Sequence, residues 1–373
     1  MKDKEFAKKT SPPDYILLSI TGVIILFGLF VLASVTSVGT EVQLVEQILL
    51  GFLPGGFLAY FFFKVPLSVL YKWAPYLLLG SLILTAMVFI PFFSETVRGG
   101  TRWLSLGEWI SFQPTELLKL TFVFYVSSWL VSKNKKNLSF KETLLPFAVV
   151  CGVITLLLVM QRDLSTLAII LFTGFIIYFA AKTPLWHSVA IVSGGGVGLL
   201  LLIFFTQYRL ERVIGFLNPD MDPLGATYQI KQALITVGSG GLFGLGLGMS
   251  QQKFGFLPFP ETDSIFAIIA EETGFIGSML LILLFLGFFL RGFWIAKEGR
   301  HDFAKLISLG ICVWIFIQTS VSIGAMIGVF PVTGIPLPFI SYGKSHLITE
   351  MIALGVLLNA SQYKKPKNDK RNI

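Results

Sequence analysis

An all-α, polytopic membrane protein is the fold class this sequence predicts, and three observations predict it. Of 373 residues, 54% are hydrophobic and 13% charged, with a mean hydropathy of +0.77. A soluble domain carries roughly twice that charged fraction. The apolar residues gather into about ten runs long enough to cross a hydrocarbon core of ~30 Å. Lys and Arg concentrate in alternate connecting segments, the pattern of positive-inside topology.

The runs are Tyr15–Val35, Val45–Phe63, Trp73–Phe93, Pro114–Val131, Leu144–Met160, Leu164–Ala181, Leu185–Phe205, Ser264–Phe293, Phe303–Phe330 and Phe339–Leu358. The first follows a charged head, exceeds a signal-peptide core and lacks a small-residue cleavage site, so it reads as a retained first span. The fifth and sixth are joined only by Gln161, Arg162 and Asp163, which predicts a tight hairpin.

Lys2, Lys4, Lys8 and Lys9, then Lys64, Lys72, Lys133, Lys135, Lys136, Lys141, Lys182, Arg291, Lys297, Arg300, Lys305 and the tail from Lys364 to Arg371 all fall on one set of loops. This places both termini in the cytoplasm. The outer face then carries Ser94–Gln113, the Gln161–Asp163 turn, Gln207–Thr262 and Pro331–Pro338. The net charge of +8 is spread over these inner loops, which suits anionic lipid and not nucleic acid. One membrane domain is expected over 1–361, with a structured outer Gly-rich segment at about 207–263 between spans seven and eight, and a basic, disordered tail at 362–373. Cys151 and Cys312 both lie in apolar runs and read as small core residues. Three histidines leave little for a His-based metal site, and none is expected.

The stretch Thr227–Gly277 does not read as a simple span. Glycines crowd between Gly238 and Gly255, Pro258 and Pro260 stop any helix, and Thr262-Asp263 opens a strongly apolar run. Irregular backbone near lipid is tolerated where protein buries it or where it lines a wet cavity. Asp263 is then either a helix cap or a reactive carboxylate at a helix mouth. Glu116 and Lys119, three residues apart after Pro114, can pair on one helix face. Glu271 and Glu272 lie about 12 Å further along the run at 1.5 Å per residue and are expected to shape or hydrate a cavity.

Three motifs, YQIKQALITVGSGGLFGLGLG, LPFPETDSIFAIIAEETGFIG and PVTGIPLPFISYG, resemble in wording and order those of the SEDS family (shape, elongation, division and sporulation), the FtsW/RodA group of peptidoglycan glycosyltransferases. The resemblance runs from about Asp14 to Ser361 and is slightly closer to FtsW than to RodA. It implies an enzyme of the bacterial cytoplasmic membrane that polymerises lipid II on the outer face and lengthens a nascent glycan. The anomeric centre is inverted, undecaprenyl pyrophosphate is released, and the partner is a class B penicillin-binding transpeptidase.

Within that resemblance Asp263 is the base. SFQPTELLKL brings in Gln113, Glu116 and Lys119; RGGTRWLSLG brings in Arg102 and Trp103; QRDLST brings in Asp163, either as a cap or as a cavity residue. Gln229, Gln232, Ser239 and Gly240 come from the Gly-rich motif, and Ser341, Tyr342 and Gly343 from the last motif. Arg102, Lys119, Arg209, Arg212 and Lys253 are candidates for the diphosphate or for balancing cavity acids. A divalent cation, Mg or Mn, is compatible with the pyrophosphate.

The chain departs from the family at Lys344 and His346, where small residues are usual, and Glu350 follows in the last span. Lys344 is expected to reach Glu350 or to point toward the cavity. Two other functions stay open: a transporter of the lipid-linked precursor, which would use the same charges, or a non-catalytic scaffold for the transpeptidase, which would tolerate loss of Asp263.

Overall fold

The computed structural model describes residues 11–36, 41–97, 100–106, 110–133, 139–204, 216 and 227–364. A helix occupies each of the ten apolar runs. These are α1 (Tyr15–Thr36), α2 (Glu41–Glu46) continuing through a π turn (Gln47–Phe52) into α3 (Leu53–Lys64), α4 (Leu67–Met87), α5 (Pro114–Ser132), a π turn (Phe140–Leu144) into α6 (Leu145–Met160), α7 (Leu164–Ala180) and α8 (Leu185–Phe204). Then come α9 (Tyr228–Ser239), α10 (Ile265–Glu298), α11 (Asp302–Met326) and α12 (Lys344–Ala360). Among the described residues, six of these segments are long and apolar enough to cross a membrane by length and composition; α7 is a shorter apolar helix.

Burial sorts the helices into a centre and a rim. The most apolar window of α11 is 72% buried, whereas those of the other five long segments are 22–33% buried. α11 packs on α5, α7, α10 and α12, and α12 in turn packs on α3. The rim helices turn large apolar side chains outward, among them Phe30, Phe57, Tyr76 and Leu280. An apolar girdle of this kind suits a hydrocarbon surround.

The segment 94–112 departs from the all-helical expectation. It forms a three-stranded antiparallel meander of β1 (Ser94–Val97), β2 (Gly100–Leu106) and β3 (Ile110–Phe112). Glu95 pairs with Trp103, and Ser105 with Ser111. Alternation along β2 sends Arg102 and Leu104 to one face and Trp103 to the other. Leu104 is buried.

The Gly-rich motif is not a loose loop. α10 is broken at Gly274 (φ 68°, ψ −166°), so its regular i→i−4 bonding is interrupted there. The preceding segment makes up the missing bonds. The N–H groups of Leu245 and Gly246 donate to the carbonyls of Glu271 and Glu272, and those of Phe275 and Ile276 donate to Gly241 and Leu242. Backbones approach so closely that an added Cβ would lie 2.0 Å from the Ala270 carbonyl oxygen at Gly240, and 2.2 Å from that of Glu272 at Gly244. Gly244 also has φ +80°. Gly244→Ala is therefore expected to destabilise the protein by about 3 kcal/mol or more, since neither clash nor dihedral can relax alone. Thermal unfolding of the purified protein in detergent checks this, with Gly238→Ala, which meets nothing within 4 Å, as the tolerated control.

At the end of the bundle away from Asp263 the segment before α1 meets the segment after α12 and the C-terminal end of α10. Arg291 Nε donates to Asp14 at 2.9 Å, Ser361 Oγ accepts the Asp14 N–H at 3.0 Å, and the Arg300 N–H donates to the Tyr363 carbonyl at 2.8 Å. Gln362 and Tyr363 are buried, so packing extends past the boundary read at 361.

Candidate functional site

The site lies at the end of the bundle where α5, α7, α10 and α12 begin and α11 ends. Asp263 is half-buried, two residues before α10. It is not the helix cap. That position falls to Ser264, whose hydroxyl donates to the Pro258 carbonyl at 2.8 Å and accepts from Gln229 Nε2 at 3.1 Å. The prolines and Phe259, held at φ 55°, turn the chain sharply so that Thr262 and Ser264 both donate to the Phe259 carbonyl. The Asp263 carboxylate is thereby carried against the Pro331–Pro338 loop, with Oδ2 3.5 Å from where a Cβ would stand on Gly334.

That loop joins Asp263 to the second carboxylate of the site. The Ser165 hydroxyl, at the start of α7, donates to the Thr333 carbonyl at 2.9 Å. Asp163, buried, caps α7 through the Thr166 N–H at 3.3 Å. Its cationic neighbour is Arg102 on β2, 4.0 Å away, which also donates to the Gln161 carbonyl at 3.3 Å and to the Arg162 carbonyl. Arg102 is one-third exposed. Trp103 lies beside it on the opposite face of the strand.

The last motif holds the Asp263 segment in place. Ser341 Oγ donates to the Thr262 carbonyl at 2.7 Å, and the Tyr342 N–H donates to the Glu261 carbonyl at 2.8 Å. Gly343 precedes α12, and the Ser345 hydroxyl two residues on accepts the Gln113 N–H at 3.1 Å, bringing the start of α5 to the same place. Lys344 does not meet Glu350, contrary to the expectation from sequence. It donates to Glu46 at 2.9 Å, because residues six apart on a helix face different ways.

Glu116 and Lys119 pair as spacing predicts, at 2.9 Å and fully buried. Lys119 also donates to Gln318 Oε1 at 2.9 Å, and Gln318 Nε2 donates to Glu350 Oε1 at 3.1 Å. The second oxygen of Glu350 accepts the Phe339 N–H at 2.7 Å, in the loop that leads to Ser341.

Lys253 is buried. It donates to the Gly248 carbonyl at 2.8 Å and to the Ser34 hydroxyl at 3.2 Å, with Glu272 at 3.5 Å. Glu271 and Glu272 gather the 245–253 segment: Ser250 and Gln251 meet Glu271, and Ser34 donates to Glu272 at 2.6 Å. Ser239 bonds within its own helix, to the Thr236 carbonyl, and Gly240 lies on Ala270. Gln232 is half-buried on α9. The N–H groups of Gly244, Leu245 and Gly246 are taken by protein carbonyls, so the glycine-rich run serves here to dock backbone on backbone. Arg209 and Arg212 lie outside the described residues. Among the described residues no three His, Cys, Asp or Glu side chains gather into a metal-holding group.

Ser34, Glu46, Gln47, Gln318 and the Thr333-Gly334 pair were not singled out from sequence. Their partners lie on distant elements, and only the polar character of Gln47 and Gln318 inside apolar runs could have marked them.

The family model described as cell cycle protein, which covers FtsW, RodA and SpoVE, matches residues 13–366. The chain belongs to the FtsW/RodA/SpoVE family. Stage V sporulation protein E of Bacillus subtilis (strain 168) is 36% identical over 364 residues, covering 96% of this chain and 99% of that protein. A protein of Pseudoalteromonas translucida named probable peptidoglycan glycosyltransferase FtsW is 41% identical over 303 residues, covering 79% of this chain and 74% of its own. Among solved structures, a peptidoglycan synthase complex, described as coordinating polymerization and crosslinking, superposes with a TM-score of 0.80 at 26% identity, covering 97% of this chain and 99% of that one. The rod shape determining protein RodA of Thermus thermophilus gives 0.70 at 26% identity, covering 95% and 98%. For this FtsW/RodA/SpoVE chain the match is thus near full length in sequence and in fold.

Proposed function

We propose that the protein is a peptidoglycan glycosyltransferase that polymerises lipid II, with Asp263 as general base. The observation that carries this reading is the placement of Asp263: a carboxylate one residue before the α10 N-cap, held at a helix mouth by contacts to the flanking Glu261 and Thr262 carbonyls. The acceptor's GlcNAc 4-hydroxyl forms a bond to C1 of the donor MurNAc. The C1–O bond to the diphosphate breaks, undecaprenyl pyrophosphate departs, and Asp263 takes the hydroxyl proton. Attack opposite the leaving group inverts C1.

Charge on the departing diphosphate needs stabilisation. Arg102, partly exposed beside Asp163, is the described cation best placed to meet it, with Arg209 and Arg212 of the 207–263 segment as further candidates. We assign Lys119 and Lys253 to balancing buried acids. A divalent cation would be held by the pyrophosphate and not by the protein, since among the described residues no three acidic, His or Cys side chains gather, and it would offset the leaving group's charge. A class B penicillin-binding transpeptidase is the proposed partner.

The same reading sets ten crossings of the bacterial cytoplasmic membrane with both termini inside and Asp263 facing out. Cysteines introduced as Asn134→Cys and Asp220→Cys should then label from opposite sides with an impermeant reagent. Labelling of both from outside reverses the assignment. The function itself is tested by incubating purified protein, with and without the transpeptidase, with labelled lipid II and resolving products on a gel. A ladder of glycan is expected; a protein that only moves the precursor, or only anchors its partner, leaves lipid II unpolymerised.

A further inference from the structure

We propose that Glu46 and Lys344 form a clamp that positions the Asp263 segment for reaction, an inference that rests on the reading of Asp263 as base. Ser341 and Tyr342 hold the carbonyls of Thr262 and Glu261, the two residues immediately before Asp263. Wherever that loop goes, the carboxylate goes with it. The loop is in turn held from its far side by a different element, the junction of α2 with its π turn. The Tyr342 hydroxyl donates to Glu46 Oε2 at 2.8 Å, and Lys344 Nζ donates to the same oxygen at 2.9 Å. Next along the helix, buried Gln47 accepts the Gly343 N–H at 3.0 Å and donates to the Ser341 carbonyl at 3.2 Å.

Gly343 is the pivot of this arrangement. It sits between the two side chains that share Glu46, with φ 156°, and it carries no side chain that could fix the turn. One carboxylate therefore holds the loop on both sides of its most adaptable residue. The Glu46 and Lys344 side chains are 36% and 24% exposed, and ion pairs of that exposure contribute little to global stability. Their effect is geometric, and a base displaced by even about 1 Å loses much of its rate, up to about a hundredfold. The sequence departure at Lys344 thus adds a second donor to Glu46.

The test uses Glu46→Gln and Lys344→Met in the full-length protein with lipid II as substrate. The clamp predicts that kcat falls about tenfold while KM stays within about twofold and the unfolding temperature is unchanged. The charge swap, Glu46→Lys with Lys344→Glu, should recover kcat to within about threefold of the unaltered protein. A second readout does not depend on chemistry. In the Asp263→Asn background, amide hydrogen exchange across residues 261–264 should quicken when Glu46→Gln is added. Unchanged exchange together with kcat within twofold overturns the clamp. A fall in unfolding temperature that accounts for the whole loss, with no recovery in the swap, shows a merely structural pair and overturns it equally. If Asp263→Asn alone keeps full activity, the assignment of the base fails, while the exchange result still reports on the clamp.

Discussion

Asp263→Asn is expected to lower lipid II polymerisation by about 10²–10⁴-fold, the range typical for loss of a general base, in a protein that should still fold. Folding survives because Asp263 is not the cap of α10. Ser264 occupies that position, and its hydroxyl is engaged by Pro258 and Gln229. The amide side chain keeps the size of the carboxylate but cannot accept the acceptor's proton at neutral pH. Lipid II binding changes far less than turnover, because the cations proposed for the diphosphate are untouched. Asp263→Glu is nearly as damaging, since one added methylene drives the carboxylate about 1 Å out of line. Product gels for turnover and retention of labelled lipid II for binding check both halves. Near-normal polymer from folded Asp263→Asn protein would move the base to Glu261, Glu116 or Asp163.

Much of the fold was legible because hydropathy is a local property. Each apolar run became a helix, the Glu116–Lys119 pair formed at its i,i+3 spacing, and Pro114 opened α5. What the sequence hid was non-local. The strands over 94–112 are three to seven residues long, too short for alternation to stand out from a polar loop. Lys344 was expected to reach Glu350 on its own helix or to point toward the cavity, whereas its partner Glu46 is nearly three hundred residues away in the chain. Arg162 was the neighbour of Asp163 in sequence, yet Arg102 from the sheet is its neighbour in space. Lys253 was a candidate for the diphosphate or for balancing cavity acids. The structure engages Lys253 with Glu272, Ser34 and Gly248, and the N–H groups of Leu245 and Gly246 with α10. Asp263 was singled out because its motif is contiguous; the loop that holds it comes from about eighty residues later, which no local pattern reveals.

Lys119→Met is expected to cost about 3–5 kcal/mol, the penalty for breaking a buried ion pair from one side. Lys119 is the cation in a buried network that holds two carboxylates. Glu116 lies 2.9 Å from it, and Gln318 relays from Lys119 to Glu350 through bonds of 2.9 and 3.1 Å. Trp314 Nε1 fixes the Gln318 amide by donating to its oxygen at 2.8 Å, so the relay cannot easily turn over to serve as donor toward Glu116. Without Lys119 two carboxylates remain inside the bundle with their countercharge gone. Replacing Glu116 as well, with Gln, removes one of them and should restore most of the lost stability, since a neutral pair avoids the desolvation of stranded charge. Activity should not return with it. Gln318 also donates to the Pro336 carbonyl at 3.2 Å, and Glu350 holds the Phe339 N–H at 2.7 Å. The network therefore sets the course of the loop that runs from Gly334 to Ser341 and embraces Asp263. Thermal unfolding separates the single from the double variant, and the lipid II gel separates stability from turnover. A double variant that is both stable and active would show that the pair only neutralises itself and lies outside the site.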